Sequence, residues 1–100
     1  MTPFYIHPEG DVKKLNEYTQ ELIELCGGTI TSNVMEAKYI ITEYYHETVP
    51  KYNELGDEIH QVIRQFAMDS IIRNYIVDYR EYLAKKQFLI PMEVGDKIVN

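Results

Sequence analysis

The chain has 100 residues, 45% of them hydrophobic and 26% charged, with a formal net charge of −6. A chain of this size makes one domain that buries only about 60–70% of the surface its unfolded form exposes, so the core must be dense. Ten basic residues scattered among sixteen acidic ones disfavour direct DNA binding; no apolar run approaches the ~20 residues of a membrane span, and the start MTPFYIHPEG is not a basic-then-apolar secretory signal.

Pro3-Phe4-Tyr5-Ile6-His7-Pro8 opens the chain. An apolar run bounded by prolines predicts a buried strand. Pro8-Glu9-Gly10 is a turn signal, and Asp11 is placed as a helix N-cap. Val12, Leu15, Thr19, Leu22, Ile23 and Cys26 then recur at helical spacing, which predicts a helix over about residues 11–26. Asn16, Glu17, Gln20, Glu21 and Glu24 fall off that stripe and read as its solvated side. Cys26 is the one cysteine. It cannot form an internal disulfide, is expected as a small buried hydrophobe, and points to an intracellular compartment.

Gly27-Gly28 ends the helix and hands over to a strand at Thr29-Ile30-Thr31. Glycine takes the left-handed conformation without a side-chain penalty, and a second glycine lets the chain pass close to a neighbouring element. Ser32-Asn33 turns the chain, and Val34 to Ala37 leads on. Lys38-Tyr39-Ile40-Ile41-Thr42 is the next β-prone run, apolar on consecutive positions as in a strand covered on both faces. Residues 43–50 read as a loop. Pro50 is set to start a short helix over 51–55, ended by Gly56-Asp57. Residues 59–63 predict another strand, followed by a helix built on Phe66, Ala67, Ser70 and Ile71 and capped by Asn74. The domain is expected to span 1–83, with 84–100 a packed strap or the start of a linker. This alternation favours an α/β sheet with parallel strands and helices on both faces.

Three features in order resemble a BRCT domain over about residues 3–83. The first is the corner Leu22-Ile23-Glu24-Leu25-Cys26-Gly27-Gly28-Thr29-Ile30. The second is the strand Ala37-Lys38-Tyr39-Ile40-Ile41-Thr42. The third is the aromatic-to-small spacing of Phe66 and Ser70, with Phe66 where Trp is usual in the family. Within the family, Phe4-Tyr5-Ile6-His7-Pro8, Asp69-Ser70 and Arg73-Asn74 are similar to the N-terminal BRCT branch of telomeric repressor/activator proteins. The resemblance implies a central four-stranded parallel sheet flanked by about three helices. It also implies a non-catalytic protein–protein interaction module in the nucleus, in telomere, chromatin or transcription-regulation work, with Gly27, Gly28, Phe66 and Ser70 in structural roles.

Many BRCT domains bind phosphopeptides, so this chain could instead be a phosphopeptide reader of a DNA damage response protein. Family phosphate sites use a Ser or Thr hydroxyl after the first strand, the next backbone N–H, and a Lys at the second helix. Lys51 stands at that Lys position. His7 stands at the hydroxyl position, and Pro8 after it has no N–H to donate. Phosphopeptide binding is therefore disfavoured.

The histidines and acids do not assemble into chemistry. Glu43, His46 and Glu47, and His60 near Asp57 and Glu58, lack metal-ligand spacing on a helix and read as solvated loop residues. No glycine-rich phosphate loop precedes a helix. No catalytic residue, metal or cofactor is called for, and a small enzyme or ligand-binding α/β domain is the remaining, disfavoured class. Nine tyrosines suggest a protein partner instead. Tyr44 and Tyr45 are adjacent, and Tyr75, Tyr79 and Tyr82 follow the last helix. Tyr44, Tyr45, Tyr75 and Tyr79 form the candidate partner surface.

Overall fold

Four short parallel strands form one sheet in the order β2-β1-β3-β4. They are β1 (Pro3–Ile6), β2 (Thr29–Ile30), β3 (Tyr39–Ile41) and β4 (His60–Val62). The helices are α1 (Lys13–Leu25) and α2 (Arg64–Arg73), with 3-10 turns at Val34–Glu36 and Tyr79–Glu81. The computed structural model describes residues 3–8 and 13–86. The Glu9-Gly10 turn, the Asp11 cap, Val12 and residues 87–100 lie outside the described residues.

Strand β3 is central and buried at every position. It pairs Phe4↔Tyr39, Tyr5↔Ile40 and Ile6↔Ile41 on one side, and Tyr39↔His60, Ile40↔Gln61 and Ile41↔Val62 on the other. Successive side chains of a strand point to opposite faces, so Tyr39 and Ile41 enter one core and Ile40 the other. The larger core joins Phe4, Tyr39, Ile41 and Val62 to Ile23 of α1 and to Phe66 and Ala67 of α2. Both helices therefore pack on the same face. The smaller core, Ala37, Ile40 and Ile59 with Tyr5, Val34 and Val49 against it, is closed by a 3-10 turn and loops. Helices on both faces are not found among the described residues.

The helix expected over 51–55 is also absent. Asn53 explains why. Its side-chain oxygen accepts from the N–H groups of Leu55 at 2.9 Å and Asp57 at 3.0 Å, and its own N–H donates to Asp57 O at 2.8 Å. Asparagine offers the backbone this local alternative to a helix, and five residues are too few to nucleate one unaided. Gly56 completes the turn at φ +84°, and Tyr52 pairs with Glu58 as an antiparallel bridge.

Helix α2 ends as its sequence dictates. Asn74 adopts the left-handed conformation at φ 62°, ψ 29°, and its N–H caps the carbonyls of Ser70 and Ile71. The chain then passes Ser70, whose hydroxyl accepts from Val77 N at 3.2 Å. It returns along β4 through a Val62↔Leu83 bridge and reaches the segment after β3 through a Tyr44↔Lys85 bridge, with Ala84 buried. At the other helix ends, Arg64 donates to Thr19 Oγ1 at 3.0 Å and to Asn16 Oδ1 at 2.7 Å. Asn16 in turn donates to His7 O at 3.2 Å. Asn16, read from sequence as solvated, is thus a half-buried link between β1, α1 and α2.

Candidate functional site

The Gly27-Gly28 corner shapes a groove. Gly27 holds φ +87°, which favours glycine. A Cβ on Gly28 would stand 2.5 Å from Ile23 Cγ2 and 3.0 Å from Ile23 O, so only glycine lets the chain turn this tightly under α1. The C-terminal ends of α1 and α2 leave between them a groove of about 570 Å³. Ile23, Cys26, Ala67, Ile71, Tyr75 and Ile76 are among its lining residues, with Phe4 at its floor side. Cys26 is exposed, contrary to the buried position expected of it. Helix α1 touches the core through a narrow line at Thr19 and Ile23, and Cys26 follows its last residue, Leu25.

The four candidate tyrosines do not meet. Tyr44 and Tyr45 follow the C-terminal end of β3, where Tyr45 N donates to Lys85 O at 3.0 Å. Tyr75 lies past the end of α2, at the opposite end of the parallel strands, and lines the groove. Tyr79 stacks on His60 with ring centroids 3.7 Å apart and packs against the core. Tyr82 donates its hydroxyl to Asp69 and packs edge-on against Phe66. That bond pushes the Tyr82 phenol up and, with a second bond from Gln65, holds the Asp69 carboxyl down. Sequence alone cannot sort tyrosines this way, because a phenol suits core and surface alike.

His7 is not among the residues that line the clefts at Lys51. The His7 ring stacks on His46 at 4.0 Å between centroids, and the His7 N–H donates to Ile41 O at 2.9 Å. Lys51 sits on the exposed loop and lines a cleft of about 480 Å³ with Tyr45, Glu47, Ala84 and Lys86. Lys86 is already engaged there: its ammonium is 2.9 Å from Glu47 Oε1, and this partner holds the Glu47 carboxyl below the usual range. Glu47 thus competes with any anion for Lys86, and neither His7 nor Pro8 is among the cleft's lining residues.

His46 and His60 are both held by neighbours in the fold. The backbone N–H and C=O of His46 are bracketed by the Gln61 amide at 2.8 and 2.9 Å. Burial pushes His60 down, with Glu58 opposing and Lys38 adding to the shift. Among the described residues no group of three or more His, Cys, Asp or Glu side chains is placed to hold a metal. Among the described residues no helix is long and apolar enough to cross a membrane.

Sequence reasoning missed Leu15, Leu22 and Leu25 as surface residues. Helical spacing puts Leu15 and Leu22 on the core stripe, yet Leu15 is exposed and Leu22 only half-buried. The available signal was Tyr18 and Leu25, apolar residues that fit neither the core stripe nor a solvated face.

Solved structures similar to the chain include two domains of one protein. The C-terminal BRCT domain of human XRCC1 aligns with a TM-score of 0.69 at 8% identity, covering 87% of this chain and 92% of that one. The second XRCC1 BRCT domain aligns with a TM-score of 0.67 at 8% identity, covering 86% of this chain and 88% of that one. No family model and no curated protein matches the sequence. The four-stranded parallel sheet with two helices on one face is a BRCT fold.

Proposed function

We propose that this domain is a non-catalytic protein–protein interaction module of a nuclear telomere or chromatin protein. The BRCT fold supports the module reading. The strings Phe4-Tyr5-Ile6-His7-Pro8 and Phe66-Ala67-Met68-Asp69-Ser70, similar to the telomeric branch, support the setting. One observation carries the proposal. Large apolar side chains stand in water around the groove between the helix ends: Leu25 is 82% exposed, Ile72 77% and Tyr75 59%. Leu25 and Ile72 are sequence neighbours of the groove-lining Cys26 and Ile71. Such a cluster, exposed in the isolated domain, marks a surface that a partner covers. In this reading Tyr75 belongs to the partner surface, while Tyr44 and Tyr45 at the far end of the sheet would serve a separate contact.

The test is affinity capture from nuclear extract, with and without phosphatase treatment. Proteins retained after phosphatase and lost on Tyr75→Ser are the expected result. Proteins lost on phosphatase treatment would support the alternative, a phosphopeptide reader of a DNA-repair or checkpoint protein. Phosphorylated peptides are expected to bind no better than their unmodified forms, because Pro8 offers no N–H and Glu47 shares the Lys51 cleft. A phosphate-dependent titration abolished by Lys51→Ala would overturn that expectation.

A further inference from the structure

Helix α1 carries two apolar stripes. Thr19 and Ile23 are buried against the sheet and α2. Leu15, Tyr18, Leu22 and Leu25 form a second stripe at 3-4-3 spacing, within an arc of about 80° at 3.6 residues per turn. Leu15 is 44% exposed and Tyr18 58%. This spacing is that of a coiled-coil seam, and a solvated helix face has no need of it. Leu25, the last residue of the stripe, directly precedes Cys26, which lines the groove between the helix ends.

Charge selects the occupant. Exposed Lys14, Glu17, Glu21 and Glu24 follow the stripe on its outer side, three negative charges against one positive. Two copies of this chain fit poorly. In an antiparallel pairing, Leu15 would meet Leu25 and Tyr18 would meet Leu22, bringing each Glu21 close to its twin; in a parallel pairing the glutamate flank of each copy would face the other copy's inner flank, where Thr19 and Ile23 are already buried in its own fold. Each copy also carries a net charge of −6. The chain's own residues 87–100 fit poorly too. They hold Glu93, Asp96 and one lysine, Lys97, with Pro91 and Gly95 disfavouring a helix in their sequence.

We propose that the outer face of α1 docks an amphipathic helix of a partner protein with Lys or Arg beside its apolar seam. This rests on the interaction-module reading and names the surface and chemistry of the partner. Seam contacts supply the affinity, and the basic flanks pair with Glu17, Glu21 and Glu24 to set orientation and on-rate.

The test uses the full chain and a displayed library of helical peptides with leucine fixed at seam positions and Glu or Lys randomised at the flanks. Selected peptides are expected to be enriched in Lys, and their binding to fall at least about tenfold with Leu25→Ser or Tyr18→Ser, variants whose melting temperatures stay unchanged because both side chains are exposed. Glu17→Lys combined with Glu21→Lys is expected to reverse the flank preference. Selection of no binders, no Lys enrichment, or indifference to Leu25→Ser would overturn the proposal. So would a concentration-dependent dimer dissolved by Leu25→Ser, which would identify a second copy as the occupant. Shifts of α1 amide resonances on Phe88→Ser in the unbound full chain would identify residues 87–100 and equally overturn it. Phosphatase-resistant capture that survives Leu25→Ser would leave the module reading standing while this surface fails.

Discussion

On the helix side of the sheet, rings close the core; on the loop side, two buried amides do. Phe66 is fully buried, with ring centroids 4.8 Å from Tyr39, 6.2 Å from Phe4 and 5.8 Å from Tyr82. These contacts are non-directional and mutually redundant, so each ring is held by several others. Across the sheet, Gln61 brackets the His46 backbone. Asn53 donates to Ala37 O at 3.2 Å while accepting from Leu55 and Asp57. A buried amide has no such redundancy, because losing one strands specific donors and acceptors. The helix side closes its core without α1's outer stripe, whose Leu15, Tyr18 and Leu25 stay exposed. The loop side spends its polar groups on internal order.

The sharpest way to break this contrast is Phe66→Ala. Removal of the central ring is expected to cost about 3–5 kcal/mol, measured by urea unfolding. A loss under about 1 kcal/mol would mean the helix side is not where the stability lies. Gln61→Ala and Asn53→Ala are each expected to cost about 1–3 kcal/mol, as the part-buried His46, Leu55 and Asp57 amides and the buried Ala37 carbonyl lose their partners. Hydrogen exchange should show the effect locally, at the His46 amide for Gln61 and at the Leu55 and Asp57 amides for Asn53. Equal loosening of α1 and α2 would dissolve the distinction between the two sides.

Smaller effects separate the two glycines at the corner. Gly28→Ala is expected to cost about 1–3 kcal/mol by driving a methyl into Ile23. Gly27→Ala should cost only about 1 kcal/mol, because the space is open and only the positive φ resists. The reverse order, read from the same unfolding curves, would mean that backbone conformation and not close packing governs the corner.

The smallest expected effect is on pH. Burial keeps the His60 pKa below its ordinary value, so the unfolded chain binds this proton more readily than the folded one. Stability should be level above about pH 6.5, the unfolded value, and fall as pH drops through it. His60→Phe keeps a ring against Tyr79 and should flatten that fall relative to the parent chain. An unchanged slope would mean His60 is not the group responsible. Asp78, held down at about 2 by hydrogen bonds from Arg80, stays charged throughout this range.

Local sequence determined the strands, the two helices, the Gly27-Gly28 corner and the Asn74 cap. Each depends on periodicity or on backbone conformation, which neighbouring residues dictate. Tyr39-Ile40-Ile41 could be read as doubly covered because an uninterrupted apolar run leaves no face for water. The tertiary structure decided which side α2 takes, what closes the opposite face, and which tyrosines are free. Those outcomes depend on partners far apart in sequence: Arg64 on Asn16, Gln61 on His46, Tyr79 on His60. Leu15 illustrates the limit. Its helical spacing fits a core stripe, but a helix resting on one sheet and one neighbour buries only a narrow arc of its surface. Which leucines fall outside that arc is set by where α1 lies on the sheet, and no local pattern encodes that placement.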